Sequence, residues 1–154
     1  MLSDNEIKDI TAELAHCATK AAASVEALNI IQRYHGWVSD EAVKDVALML
    51  DMTPDELDAV ATFYSFIFRR PVGKHVILVC DSISCWVMGY NPLLDVLKSR
   101  LGIAFGETTP DKRFTLLPIS CLGACDRAPA MMVGEDLYGP VTHEMMDGIL
   151  ERYK

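Results

Sequence analysis

Four of the five cysteines fall into two close pairs, and their spacing constrains the fold more than any other feature of the chain. The first pair is Cys80-Asp-Ser-Ile-Ser-Cys85 and the second is Cys121-Leu-Gly-Ala-Cys125, with 35 residues (86–120) between them. That interval has room for a helix and a strand, which could return the chain to the same end of one sheet. We therefore predict one shared metal centre held by four thiolates, as ligation of a [2Fe-2S] cluster requires.

Three other uses of these cysteines compete with that prediction. Structural zinc also takes four cysteines. In zinc sites two residues usually separate the cysteines of a pair, whereas here the numbers are four and three. Paired disulfides are rare in a reducing cytoplasm. A thiol–disulfide enzyme typically carries Cys-x-x-Cys, which the sequence lacks. The spacing favours iron and leaves zinc open.

Charge and hydropathy narrow the setting in which such a centre would work. The formal net charge is −8, which would repel a nucleic acid, so we expect no nucleic-acid partner. Unbroken apolar runs reach only five or six residues, far below the roughly 20 that a spanning helix needs, so we expect no membrane insertion. The acidic N-terminus resembles neither a secretory signal nor a presequence. We therefore expect the chain in the bacterial cytoplasm, where thiols stay reduced.

The first 70 residues predict a small bundle of four helices. Ser3 with Glu6, and Thr53 with Glu56, have the spacing of capping boxes, and Gly36 can end the second helix. Apolar positions then follow helical periodicity: Ile7, Ile10 and Leu14; Val25, Leu28 and Ile31 (or Ile30); Val43, Val46, Ala47 and Leu50; Leu57, Val60, Ala61 and Tyr64. We expect these helices to form an N-terminal subdomain, residues 1–70.

An aromatic segment, Thr62-Phe-Tyr-Ser-Phe-Ile-Phe68, follows the fourth predicted helix. It could pack the core and connect to the next subdomain, or it could form the surface that docks a partner subunit. Pro71-Val72-Gly73 then breaks the helical pattern, and we place the subdomain boundary there.

Residues 71–154 predict an α/β domain whose loops carry the cysteines. The first predicted elements are a strand, His75–Cys80, and a helix over about 84–101, which Asn91-Pro92 could kink or restart. Strands Phe114–Ile119 and Ala130–Val133 and a short strand near Leu137 follow. A last helix runs through Met145, Met146, Ile149 and Leu150. This order is compatible with a thioredoxin-like arrangement. If the first two strands are neighbours, the loops after them emerge at one end of the sheet.

Several side chains outside the four cysteines have simpler expected roles. We expect Cys17 to be a free structural thiol on the first helix. Trp86 either shields the metal centre or fills the space between helix and sheet. We expect the methionines Met131, Met132, Met145 and Met146 to pack between the sheet and the last helix. Asp81, Asp126 and Arg127 flank the cysteines and either tune the potential of the cluster or are solvated.

Several motifs together resemble a known family, over a span from about Ser24 to the C-terminus. The motifs are Gly36-Trp-Val38, Val60-Ala-Thr-Phe-Tyr64, the Cys80-x4-Cys85 pair and Cys121-Leu-Gly-Ala-Cys125-(x3)-Pro129-(x2)-Met132. They are similar to the small [2Fe-2S] subunits of NADH dehydrogenases, and in particular to the E subunit of bacterial NADH–quinone oxidoreductases (respiratory complex I). One departure is Ile83-Ser-Cys-Trp86, where many relatives place a small or hydroxyl residue and a proline before the second cysteine.

The resemblance implies a thioredoxin-like [2Fe-2S] ferredoxin domain, with one cluster ligated by Cys80, Cys85, Cys121 and Cys125. It also implies that the small helical bundle before this domain, residues 1–70, docks a partner. The cluster would exchange one electron with the FMN of a partner subunit that binds NADH, so that FMN and NADH lie on the partner and the isolated chain does no bond-making chemistry. A large iron–sulfur subunit would be a second partner, in a peripheral arm on the cytoplasmic side of the inner membrane. Alternatives are the equivalent subunit of a soluble NAD-linked hydrogenase or formate dehydrogenase, and a free-standing ferredoxin-like protein.

Overall fold

The protein is described by a computed structural model over residues 1–153. The chain divides after Pro71 into two compact units, Met1–Pro71 and Val72–Lys154. Each unit encloses its own cluster of buried apolar side chains. We call them the helical unit and the sheet unit.

The helical unit contains four α-helices among its described residues, together with one short 3-10 turn at Lys20–Ala23. The helices are α1 (Asp4–Leu14), α2 (Ser24–His35), α3 (Asp40–Met49) and α4 (Pro54–Phe63). Both predicted capping boxes are present, at the starts of α1 and α4. Gly36 ends α2 with a φ of 78°, a left-handed conformation that glycine adopts without steric cost. The 3-10 turn was not predicted.

The core of the helical unit consists mainly of the predicted apolar positions. Those that are buried are Ile10, Leu28, Ile30, Ile31, Val43, Val46, Ala47, Leu50, Leu57 and Ala61. Two predictions are wrong, since Ile7 and Tyr64 are exposed. In α1 the inward positions are Glu6 and Ile10, one helical turn apart, so Ile7 lies outside the covered stripe. Tyr64 follows the last residue of α4 in an extended conformation, so helical periodicity no longer fixes its direction.

Cys17 lies beyond the end of α1 rather than on the helix, because α1 ends at Leu14. It is a half-buried free thiol that packs against the helical core, as expected of a structural cysteine.

Arg69 ties the segment after α4 to the rest of the helical unit. Its guanidinium group donates to Asp58 and Asp40, each at 2.7 Å, and to the carbonyl oxygen of Val38. Gln32 adds a second tie, because its side chain accepts from the Phe68 N–H at 2.6 Å and donates to the Phe66 carbonyl at 2.7 Å. The aromatic segment is therefore anchored through its backbone.

The described residues of the sheet unit form one four-stranded sheet in the order β2-β1-β3-β4. The strands are β1 (His75–Cys80), β2 (Phe114–Ile119), β3 (Met131–Val133) and β4 (Asp136–Tyr138). β1 pairs parallel with β2 and antiparallel with β3, and β3 pairs antiparallel with β4. The bounds of β1 and β2 are those predicted from the apolar, β-branched runs.

Three α-helices accompany this sheet among the described residues: α5 (Ile83–Met88), α6 (Tyr90–Leu101) and α7 (Met146–Glu151), the last preceded by a 3-10 turn at His143–Met145. Their inward apolar side chains, such as Leu93, Leu97 and Ile149, pack with sheet residues such as Ile77 and Leu116. Met131 and Met146 are fully buried, as predicted, whereas Met145 is exposed because it ends the 3-10 turn.

The predicted helix over about 84–101 is two helices, and the break lies at Gly89 rather than at Asn91-Pro92. Gly89 has a φ of 119°, which only glycine adopts readily, and it separates α5 from α6. Pro92 is the third residue of α6, where a backbone N–H would have no partner within the helix, so its ring is tolerated without a kink.

Glu6 is a buried carboxylate at the start of α1, with only 3 % of its surface exposed. It accepts hydrogen bonds from the Ser3 backbone N–H at 2.7 Å and from the Ser3 hydroxyl at 2.6 Å. It also lies 2.5 Å from Nε2 of His35, at the end of α2. Burial alone would raise the pKa of Glu6, but Ser3 and His35 outweigh it and lower the pKa below its ordinary value.

We predict that Glu6→Gln destabilises the helical unit by about 1–3 kcal/mol at neutral pH, because it leaves a buried hydrogen-bond network partly unsatisfied. Since the pKa of Glu6 is lower in the folded state, its contribution is complete above its ordinary pKa of 4.5 and is lost as the pH falls through the folded value. The difference from wild type should therefore shrink in acid. Urea unfolding followed by Trp37 fluorescence in a Trp86→Phe background measures it, because the chain has two tryptophans.

Glu56→Gln is the matched control for this measurement. Glu56 makes the same capping-box contacts to Thr53, at 2.8 Å each, but on the exposed surface of α4. Its loss should cost less than that of Glu6. Equal losses from the two variants would show that burial of Glu6 contributes nothing.

Candidate iron–sulfur centre

The parallel pairing of β1 with β2 brings the two cysteine pairs to one end of the sheet. Cys80, the last residue of β1, lies opposite Ile119, the last residue of β2, so the loops after both strands leave at the same edge. The Asp81 N–H donates to the Ile119 carbonyl at 3.0 Å and fixes the start of the first loop. The two strands are therefore neighbours, as convergence of the cysteine loops requires.

The first pair lies inside the protein. Cys80 and Cys85 are 2 % and 1 % exposed. Cys85 is the third residue of α5, and its side chain is within hydrogen-bonding reach of the Cys80 sulfur. Burial raises the pKa of the Cys85 thiol, and the neighbouring Cys80 raises it further. The backbone N–H of Ala130 donates to the Cys85 sulfur and opposes this rise.

The Ala130 contact was missed from the sequence. Ala130 precedes β3. Its carbonyl accepts from the Cys80 N–H at 3.2 Å, and its own N–H donates to the Cys85 sulfur. Ala130 therefore connects the two buried cysteines through its backbone. A backbone donor does not depend on side-chain type, so no residue pattern could have signalled it.

The second pair lies at the surface, in the segment after β2. Cys121 and Cys125 are both exposed. Gly123 between them has a φ of 72°, and its N–H donates to the Cys121 sulfur at 3.3 Å. Cys125 begins a 3-10 turn, Cys125–Arg127, and is close enough to Cys85 to raise its pKa electrostatically.

Four thiols on two loops could hold either a single metal ion or a two-iron cluster. Structural zinc gathers four ligands about one centre, whereas a [2Fe-2S] cluster divides its four thiolates between two irons. Two cysteine pairs on separate loops are compatible with either kind of centre.

The surface of α5 next to the site is apolar and uncovered. Trp86 is 56 % exposed, so the suggestion that it fills the space between helix and sheet is wrong. Ile83, Val87 and Met88 on the same helix are 71 %, 68 % and 61 % exposed. We call these four residues the α5 face. Cys85 is the inward residue of the helix that carries this face.

Charged residues flank the cysteines without entering the site. Asp81, Asp126 and Arg127 are exposed, and Arg127 lies 3.8 Å from Asp126. A solvated pair of opposite charges has a small net field, so Asp126 and Arg127 contribute weakly to the electrostatics of the centre.

Comparison with known proteins identifies the fold and the family. The family model of thioredoxin-like [2Fe-2S] ferredoxins matches residues 7–154. The E subunit of NADH-quinone oxidoreductase from Escherichia coli (strain K12) is 47 % identical over 153 residues, covering 99 % of this chain and 92 % of the relative. The E subunit of the same enzyme from Pseudomonas aeruginosa is 44 % identical over the same number of residues, with the same coverage.

A solved structure agrees in fold. The crystal structure of an NAD+-reducing [NiFe]-hydrogenase in the air-oxidized state superposes on 85 % of this chain with a TM-score of 0.72 and 23 % sequence identity. This chain spans 22 % of the length of that hydrogenase chain, so the likeness concerns one part of a larger polypeptide.

The predicted fold class is confirmed by the family match together with the helices and the four-stranded sheet. The chain belongs to the thioredoxin-like [2Fe-2S] ferredoxin family.

Proposed function

We propose that this chain is the electron-carrying subunit of a bacterial NADH–quinone oxidoreductase, and that Cys80, Cys85, Cys121 and Cys125 ligate its single [2Fe-2S] cluster. The observation that carries the proposal is the parallel register of β1 and β2, which delivers both cysteine pairs to one edge of the sheet. A bound [2Fe-2S] cluster supplies one-electron transfer. The relatives from this enzyme, at 44 % and 47 % identity, support the assignment.

The residues around the ligands exclude water on one side and supply amide donors. Cys80 and Cys85 are buried, so their sulfurs lie in a low-dielectric environment. The amides of Ala130 and Gly123 donate to one sulfur of each pair. Hydrogen bonds to ligand sulfur favour the state with more negative charge, and they thereby influence the reduction potential.

The electrons have to come from another subunit. The sequence contains no glycine-rich phosphate-binding loop of the kind that holds a dinucleotide. We propose that FMN and NADH lie on a partner flavoprotein and that the isolated chain does no bond-making chemistry.

We propose that the flavoprotein binds to the α5 face. Four exposed apolar side chains and no charge make up the outer side of a six-residue helix whose inner side holds Cys85. A partner on this face would be separated from Cys85 by little more than the thickness of one helix, about 10 Å. Tryptophan is enriched at the energetic centres of protein interfaces.

The helical unit offers a second apolar surface, on the aromatic segment. Phe63, Tyr64 and Phe66 are exposed, whereas Ile67 between them and Arg69 is buried. This exposure favours partner docking over core packing for the three aromatic side chains. We propose that this segment docks a partner subunit, and Gln32 and Arg69 hold its backbone in place.

The location proposed for the assembled complex is its peripheral arm, on the cytoplasmic side of the inner membrane, with a large iron–sulfur subunit as the second partner. Among residues 1–153, no helix is both long enough and apolar enough to cross a bilayer. Attachment to the membrane in this proposal therefore goes through other subunits.

The second candidate is the equivalent subunit of a soluble NAD-linked hydrogenase or formate dehydrogenase. The superposition on the NAD+-reducing hydrogenase favours it at the level of fold alone. Affinity purification from the native organism separates the two, and we expect FMN and quinone-reductase subunits with the tagged chain. Recovery of a nickel-containing or formate-oxidising subunit instead would make the second candidate correct.

The ligand assignment predicts that alanine at Cys80, Cys85, Cys121 or Cys125 abolishes cluster binding. The wild-type protein should contain about two iron atoms per chain, absorb in the visible and give an EPR signal on reduction. Each of the four variants should lose most of the iron. Cys17→Ala is the matched control, because Cys17 packs in the helical unit, and it should keep all three properties. Iron loss in the control, or a colourless wild type with stoichiometric zinc, contradicts the assignment.

The docking assignment predicts that Trp86→Ala weakens binding to the flavoprotein at least about 10-fold, because a buried tryptophan at an interface centre is commonly worth more than 1–2 kcal/mol. The iron content and visible spectrum should not change, since Trp86 is exposed in the free chain. Binding is measured by surface plasmon resonance with the purified flavoprotein. Leu48→Ala, at an exposed apolar site on α3, is the control. An unchanged dissociation constant for Trp86→Ala removes the α5 face from the interface.

A further inference from the structure

We propose that Gly139 is a positioning residue for the cluster: it lacks a side chain because the backbone that follows Cys125 occupies the space. The inference rests on the proposed ligand set, since Cys125 is one of its four members. No sequence motif singled out Gly139, which lies just after β4 and 14 positions beyond Cys125.

The evidence is a backbone-to-backbone approach. A Cβ placed on Gly139 would lie 2.3 Å from the carbonyl oxygen of Arg127, 3.1 Å from its Cβ and 3.3 Å from its carbonyl carbon. A carbonyl oxygen cannot rotate away as the end of a flexible side chain can, so an alanine here forces one of the two segments to move. Unlike Gly36 and Gly89, Gly139 has no left-handed φ, so space rather than conformation demands glycine.

Arg127 belongs to the turn that Cys125 begins. Residues Cys125–Arg127 form a 3-10 turn, closed by the Arg127 N–H donating to the Ala124 carbonyl at 3.0 Å. The backbone against Gly139 is therefore two residues from the Cys125 ligand and part of the same turn. Cys125 itself is at the surface, so packing does not hold its side chain in place, and its position follows that of the turn.

The contact continues toward the buried pair. Two residues beyond Gly139, the Val141 N–H donates to the Pro129 carbonyl at 2.9 Å. Ala130, the residue after Pro129, donates its N–H to the Cys85 sulfur and accepts from the Cys80 N–H. The segment 127–130 thus lies between residues 139–141 on one side and the two buried cysteines on the other. The absence of a side chain at Gly139 therefore determines how near this segment, together with Cys125, lies to the first cysteine pair.

We expect Gly139→Ala to lose iron to a chelator about 10-fold faster than wild type or more, the scale that outer contacts of metal ligands commonly have. The g-values and line shape of the reduced cluster should also change, because the direction of one ligand sulfur changes. Far-UV circular dichroism checks that the fold is retained. Gly148→Ala is the matched control: its Cβ would meet no described atom within 4 Å, and alanine favours the helix in which it stands.

A second variant keeps the test decisive if Gly139→Ala does not fold. Arg127→Gly in the Gly139→Ala background removes the Arg127 Cβ and frees the backbone at position 127 to turn its carbonyl aside. Iron retention and the wild-type EPR signal should return at least in part. No improvement over Gly139→Ala, or a Gly139→Ala protein with wild-type iron release and EPR, overturns the proposal.

These outcomes are distinct from a failure of the proposed function. If the wild-type protein contained zinc, the electron-carrier proposal would fail, but the position of Cys125 could still be tested. Zinc release to a chromogenic chelator from wild type, Gly139→Ala and Gly148→Ala would then follow the same expected order.

Discussion

The parallel pairing of β1 with β2 is the constraint on which the candidate cluster site depends. In the observed register Cys80 ends its strand opposite Ile119, so both ligand loops begin level with each other. A slip of one residue would turn Cys80 to the other face of the sheet, since successive side chains alternate. Pro118 is tolerated because β2 is an edge strand, where a missing N–H need not interrupt a second ladder. Backbone pairing therefore places the starts of the two cysteine loops side by side.

The two cysteine pairs solve different parts of the same problem. The buried pair gives the centre a water-excluding side, and its sulfurs are held by the end of β1 and by a helix. The exposed pair leaves the other side close to the surface, where an electron can be exchanged with another protein. In and after that loop Ala124 and Ala128 are buried, and the backbone of residues 139–141 packs closely against the segment that follows Cys125.

Local signals in the sequence predicted most elements and the candidate ligand set, because caps and apolar β-branched runs act within a few residues. Both capping boxes and the bounds of β1 and β2 are correct. The failures are of another kind. The break at Gly89 depends on a positive φ, and the nearby proline was the more obvious candidate for the break. The inward direction of the Glu6 side chain depends on a contact with His35, which is 29 residues away in the sequence. The Ala130 amide and the space at Gly139 involve backbone atoms, which leave no residue pattern to detect.

The α5 face bears on the choice between a free carrier and a subunit. A free-standing ferredoxin meets its partners transiently and spends most of its time in water, where four adjacent exposed apolar side chains favour non-specific association. The same face in a permanent assembly is covered and contributes to its stability. The exposure of Ile83, Trp86, Val87 and Met88 is typical of a surface that a partner covers, and these residues lie on the helix that carries Cys85. The surface chemistry of this helix thus favours the subunit, independently of the sequences of its relatives.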